Sequence, residues 1–296
     1  MYPFLPGKRG YEAMRKNFFP LILALLAGGA GFALRRWQLS AGFEAGSGLA
    51  IPGAPSALAA MGFSLFAMAL FLFLSFQEEK RLTWDVAFAA GKQNTLAVTA
   101  LVLAAMLLLA SAGAEIITRS VNAPVTYEGE TVFARAASAA LPPLRILLCV
   151  GALPCIFLWA RAIFRGEGGQ ECLPVLEPCL IYCVWLISAY QLRAVDPVIQ
   201  DYLYEVLAIV TSLLGAYFVA GHSFNNGKPR LTLLFCFAGT YFSLTTLADR
   251  HTLADIFRNL FAVFYLSVHA ALILNRPLVR KRPAPAEAET EADENA

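Results

Sequence analysis

Charge is scarce in this chain. Asp, Glu, Lys and Arg supply only 15% of its 296 residues, against 58% for apolar side chains. Soluble domains carry roughly 25% charged residues, so there are too few here to cover a water-exposed surface of ordinary size. A mean hydropathy of +0.60 agrees. Catalytic signatures are also missing. The chain has no HExxH, no GxSxG and no GxxxxGK[ST] loop, which removes the zinc-protease, nucleophile-elbow and P-loop readings. Gly166 to Gly169 is glycine-rich but lacks the lysine. No basic patch stands apart from the apolar runs, so nucleic acid is not an expected partner. Nothing in the motifs calls for a cofactor, and the expectation is a protein that is not an enzyme.

What the chain does have is long apolar runs. A helix needs about 20 mostly apolar residues to cross about 30 Å of hydrocarbon. Eight runs approach this, at about 18–34, 55–76, 95–114, 143–164, 174–192, 203–221, 231–248 and 256–275. The second and third contain no charge at all. None alternates polar and apolar as a barrel strand would. The reading is all-α: a polytopic transmembrane helix bundle of about eight spans, forming one domain over 1–276. The segment 277–296 turns from basic to acidic and is too poor in apolar residues to bury a face, so it reads as a disordered cytoplasmic tail. Lys8, Arg9, Arg15 and Lys16 precede the first run, and Arg35 and Arg36 follow it at once. Those flanks favour an uncleaved span over a signal peptide.

Eight spans put both termini on one side. If that side is cytoplasmic, it holds 15 of the 23 Lys and Arg residues, including every lysine. The positive-inside rule then favours both ends inside a plasma membrane. Arg35 and Arg36 oppose it. Just past the last run, Arg276, Arg280, Lys281 and Arg282 suit anionic lipid head groups. Two outer loops are long: Arg35 to Ala54, and Glu115 to Pro142, where Glu130 to Leu141 is expected as a short interfacial helix.

Lipid is as apolar as leucine, so small residues mark where helices meet. Ala24, Ala27, Gly28 and Gly31 form such a face on the first run. Ala100, Ala104, Ala110 and Ala114 form one on the third, and Ala216 and Ala220 on the sixth. Thr240, Ser243 and Thr246 lie near one face of the seventh and read as packing groups. The six cysteines, Cys149, Cys155, Cys172, Cys179, Cys183 and Cys236, avoid the outer loops. They imply no disulfide framework, and Cys179 with Cys183 lacks the further ligands a metal would need. His269, set inside the last run, reads as a neutral ring satisfied by a neighbouring helix.

One constellation has chemical potential. Asp196, Asp201 and Glu205 lie between the fifth and sixth runs, and Asp249, Arg250, His251, Asp255 and Arg258 between the last two. Asp201 with Glu205, and His251 with Asp255, are spaced to share a helix face. Should the two hairpins be neighbours, Asp201, Glu205, His251 and Asp255 would make a candidate site for a cation or cationic ligand, bordered by Arg193, Gln200, Tyr202 and Tyr204. The competing expectation is a set of interfacial charges paired with Arg250 and Arg258.

The stretch Arg35-Arg36-Trp37-Gln38-Leu39, with Gly48-Leu49-Ala50-Ile51-Pro52-Gly53-Ala54-Pro55, resembles uncharacterised multi-pass membrane proteins of anaerobic, Clostridia-type Gram-positive bacteria. The resemblance covers one loop and the hydropathy. It implies a plasma-membrane location and carries over no activity and no site residue. Two functions are expected to compete. One is a non-catalytic accessory or sensory component acting through a membrane-protein partner. The other is a small-solute or ion transporter with an acidic outer mouth, for which Pro154 and Pro178 would break spans.

Overall fold

The apolar runs fold as helices, because backbone groups in hydrocarbon must be satisfied within the segment. In a computed structural model of the chain they are α1 (Phe19–Ala41), α2 (Pro55–Phe76), α4 (Thr95–Val121), α5 (Val132–Arg165), α6 (Glu177–Arg193), α7 (Ile199–Gly221), α8 (Pro229–Thr246) and α9 (Leu253–Leu274). A short helix, α3 (Trp84–Ala87), sits in the connection between α2 and α4, and a two-stranded ribbon joins β1 (Glu12–Met14) to β2 (Pro277–Leu278). The structure describes residues 12–14, 17–44, 46–47, 49–121, 132–167, 173–193, 198–224 and 226–278, without the side chains of 12–14, 120–121, 132–139, 192–193 and 278. The expected tail lies outside these residues apart from its first two, as do Cys172 and Asp196.

Start signals are local. Pro falls in the first turn of α1, α2 and α8, where its fixed φ suits a helix and its missing N–H is no loss. Thr252 caps α9 by accepting from the Asp255 N–H at 3.2 Å, as an N-cap threonine should.

The long helices run alternately between two ends of the bundle. At one end Gln93 N donates to Phe164 O at 3.0 Å, joining the start of α4 to the close of α5. There too Asn17 N donates to Asn275 Oδ1 at 3.0 Å, joining the entry of α1 to the exit of α9. At the other end, Ser111 Oγ donates to Ala254 O at 2.9 Å, joining the close of α4 to the start of α9. The α8–α9 hairpin is central: α8 packs on α1, α2 and α7, and α9 packs on α4.

Six of these helices are long and apolar enough to cross a membrane: α1, α2, α4, α5 from Ala140 onward, α7 and α9. This is fewer than the eight runs read from the sequence. The two outside the six are α6, which has 17 residues, and α8, whose Thr232, Thr240, Ser243, Thr245 and Thr246 are all buried. A helix wrapped by other helices meets little lipid, so it can carry hydroxyls that a lipid-facing helix cannot.

Several boundaries differ from those expected. Helix α1 runs on through Arg35 and Arg36 to Ala41, and α4 runs past Glu115 to Val121. The expected interfacial helix is instead the first turns of α5, which stays helical through Pro142, Pro143 and Pro154. In each of α1 and α4 the charge that looked like a loop is buried and paired, as described below.

The small-residue face of α1 packs on α8. A Cβ on Gly28 would lie 2.5 Å from Leu244 Cδ1, and one on Gly31 would strike Thr245 and Tyr241. On α4 the buried face is Leu101, Ala104, Ala105, Leu108 and Ala112, while Ala110 is exposed. Ala216 and Ala220 of α7 are buried. The interior between α2 and α8 is aromatic, with Phe71 5.8 Å from Phe237 and 6.1 Å from Tyr241, ring centre to ring centre.

Candidate functional site

The charges at the end of the bundle where α8 turns into α9 separate into two networks. The first centres on Arg35, which is 0% exposed. Its Nε donates to Asp249 Oδ1 at 2.6 Å, and its Nη1 donates to Gln38 Oε1 at 3.0 Å. The remaining donors reach the first turn of α7: Nη1 to Gln200 O at 3.0 Å and Nη2 to Asp201 O at 2.8 Å. The guanidinium also lies 4.9 Å from the ring centre of Tyr204. One side chain of α1 thereby ties the close of α8 to the start of α7. Thr246 Oγ1 donates to Asp249 Oδ2 at 2.9 Å, and His251 Nε2 donates to Thr246 O at 2.7 Å. Burial pushes the Asp249 carboxyl above the usual carboxylate range, and Arg35 opposes that shift.

The second network centres on Arg258, 2% exposed. Its Nη1 donates to Glu115 Oε2 at 2.9 Å, its Nη2 pairs with Asp255, and its face lies 5.0 Å from the ring centre of Trp185. Glu115 is shared: Arg145 Nε lies 3.0 Å from its Oε1, and Arg145 Nη2 pairs with the same oxygen. Helices α4, α5, α6 and α9 therefore meet at one chain of alternating charges.

Of the four residues singled out from sequence, Asp201 and His251 border the first network and Asp255 belongs to the second. Asp201 is exposed and lends its backbone carbonyl to Arg35. Glu205 is buried on α7. His251 stands at the α8–α9 turn, bonded to Thr246. Asp255 is engaged by Arg258 and by Thr252 Oγ1 at 2.6 Å. Among the described residues no group of three or more His, Cys, Asp or Glu is arranged to hold a metal ion. Arg276 pairs through Nη1 with Glu78 Oε2 at 2.6 Å and is buried, so its guanidinium is engaged within the protein. Arg280, Lys281 and Arg282 lie outside the described residues.

Toward the other end, His269 is fully buried on α9. Trp159 Nε1 donates to His269 Nε2 at 2.9 Å, leaving Nδ1 to carry the proton and donate to Tyr265 O at 2.7 Å. Both ring nitrogens are thus satisfied in the neutral form. Phe88, from the residue after α3, sets its edge against Trp159, His222 and His269. His222 was not singled out from sequence. It follows α7 as its C-cap, is buried, and bonds through Nε2 to Thr232 Oγ1 at 3.1 Å. Burial pushes its imidazole down to about 4.

Several buried polar groups lie outside these networks, Glu177 and Tyr265 among them. Glu177, at the start of α6, is 8% exposed, and among the described residues neither carboxylate oxygen has a hydrogen-bond partner. The Tyr265 hydroxyl on α9 is likewise without one. The sequence signal for Glu177 was a carboxylate within an apolar run beside Pro178.

These features define an all-helical membrane protein whose helix ends are cross-linked by buried charge. Compared with known protein families, curated proteins and solved structures, the chain matches none.

Proposed function

We propose that the chain is an eight-span plasma-membrane protein with both termini in the cytoplasm, and that it is a non-catalytic accessory or sensory component acting through a partner in the membrane. The observation that carries this reading is the closure of the outer-end charges on one another. Arg35 with Asp249, and Arg258 with Glu115 and Asp255, bind helix to helix. Groups so engaged favour a rigid scaffold over a solute path. The neutral, doubly bonded His269 supports the same view. For the topology, the support is the alternating run of eight long helices, the adjacency of α1 entry and α9 exit, and the sequence count that assigns 15 of the 23 Lys and Arg to the cytoplasmic side.

The test has two parts. Reporter fusions after residues 47 and 81 should report opposite sides, with residue 81 cytoplasmic. Mild-detergent purification from the native membrane should bring down a membrane protein in fixed ratio, and R35A should weaken its capture. A chain that purifies alone and moves solute in proteoliposomes would sink the proposal.

A second reading, ion or small-solute transport, draws on Glu177. An unpartnered buried carboxylate in a membrane bundle is a functional candidate by default. Proteoliposomes loaded with a pH-sensitive dye test it. Flux that E177Q abolishes supports it, and equal leak in the two proteins removes it.

A further inference from the structure

Between the end of α2 and the start of α8 the bundle has a groove of about 250 Å³. One water needs only about 15 Å³ of such space, so the groove takes a polyatomic group. Its rim is basic, formed by Lys80, Lys228 and Arg230. Its wall is apolar, from Leu72 and Phe76 on α2 and Leu231 and Leu234 on α8. Leu72 is 44% and Phe76 59% exposed. Among the described residues no carboxylate lines it.

The rim is built. Arg230 Nε donates to Glu78 O at 2.6 Å, and Leu82 N donates to Gly227 O at 3.3 Å, holding the two connections side by side. Glu78 and Glu79 turn to Arg276 instead. Among the described residues neither Lys80 nor Lys228 has an ion-pair partner, and both Nη groups of Arg230 are without one. Ser75, buried in the wall, has a hydroxyl with no hydrogen-bond partner. Helix α8 starts here with Pro229 in its first turn and no side-chain cap, so the positive end of its dipole adds to the rim.

We propose that this groove binds one anionic phospholipid, with the phosphodiester on Lys80, Lys228 and Arg230 and an acyl chain along Leu72 and Phe76. Three cations above an exposed apolar wall match an amphiphile, whereas a free phosphate has no use for the wall. Ser75 Oγ–H supplies a donor to a phosphate or glycerol oxygen. The site differs from the basic stretch beyond α9, whose Arg276 is already paired.

The experiment is native mass spectrometry of the full chain in detergent, with phosphatidylglycerol or phosphatidylcholine added. One phosphatidylglycerol should be retained in preference to phosphatidylcholine. Each near-surface lysine–lipid interaction is worth about fivefold in affinity, so K80Q/K228Q should weaken retention by about 25-fold. S75A should lower it by a smaller factor. Neither lysine holds an ion-pair partner among the described residues, so the double variant should melt at the wild-type temperature without lipid, which separates a lost site from a lost fold. K92Q removes an exposed cation from the same end, outside the groove, and should retain lipid as wild type does. Three results would overturn the proposal. One is equal retention of the two lipids, or equal loss in K92Q. Another is displacement of the lipid by inorganic phosphate. The third is loading only after residues 283–296 are removed, which would give the groove to the acidic tail.

Discussion

Arg35 Nε lies 2.6 Å from Asp249 Oδ1, two residues separated by 214 positions in the chain. The side chain of Arg35 is fully buried and that of Asp249 is 9% exposed. Removing one partner from a buried pair leaves an uncompensated charge, which costs roughly 3–5 kcal/mol. R35A should cost somewhat more than D249N, because Arg35 also serves the carbonyls of Gln200 and Asp201. Thermal melts of the two single variants and the double should show strong non-additivity. Additive losses would mean that the pair does not couple α1 to α8.

Glu115 holds two guanidinium groups, those of Arg145 and Arg258. In E115Q the side chain keeps its shape and loses its charge. Arg258 retains Asp255, but Arg145 has no other acid within reach among the described residues. E115Q should therefore destabilise by roughly 3 kcal/mol, and R145M should recover part of that loss by removing the stranded cation. A melt of E115Q equal to that of the wild type would refute the shared-carboxylate account.

These pairs also explain where the sequence was legible and where it was not. Helices α2 and α4 were plain because a charge-free run of that length has few other fates. From local sequence Arg35 marks the start of a loop, since a charged residue beside an apolar run ordinarily marks its end. Its acid partner comes from a helix end far along the chain, and local sequence carries no trace of it. Helix α8 was legible as the run 231–248, although it is not among the six span-length apolar helices. Its hydroxyls lower its hydropathy, yet it is the most enclosed of the helices, with Thr240, Ser243 and Thr246 all at 0% exposure. The four residues grouped as a candidate outer site do lie on neighbouring helix ends. Arg35, counted in the sequence only as an outer cation, and Arg258, expected there as a partner of these acids, organise the networks. Spacing along one helix reports the Asp255–Arg258 pair on α9, but not that Arg35 of α1 will claim Asp249 or that Glu115 of α4 will reach Arg258.

His222 links stability to pH. Burial lowers its imidazole from the ordinary 6.5 to about 4, so between those values the unfolded chain binds a proton that the folded chain refuses. Stability from this group is then fully present above pH 6.5 and is lost as pH falls toward 4. The whole swing is on the order of 3 kcal/mol. The melting temperature should fall between pH 7 and pH 5, and H222Q should make that fall shallower. An unchanged pH slope in H222Q would show that the ring titrates normally in the fold.

Gly28 and Gly29 are adjacent on α1 and make opposite predictions. A Cβ at position 28 would meet Leu244 Cδ1 at 2.5 Å and Leu244 Cβ at 2.9 Å, whereas at position 29 nothing lies within 4 Å. Overpacking a close contact costs typically 1–3 kcal/mol, and a larger side chain at 28 must push α1 off α8. G28L should lower the melting temperature and loosen the α1–α8 contact that carries Arg35 to Asp249. G29A faces open space and replaces a poor helix former with the best one, so it should leave the melt unchanged or raise it slightly. The pair is best measured in the same detergent, because lipid-facing position 29 reports the solvent and position 28 reports the packing. Equal effects from the two substitutions would mean that α1 does not seat on α8 by this face.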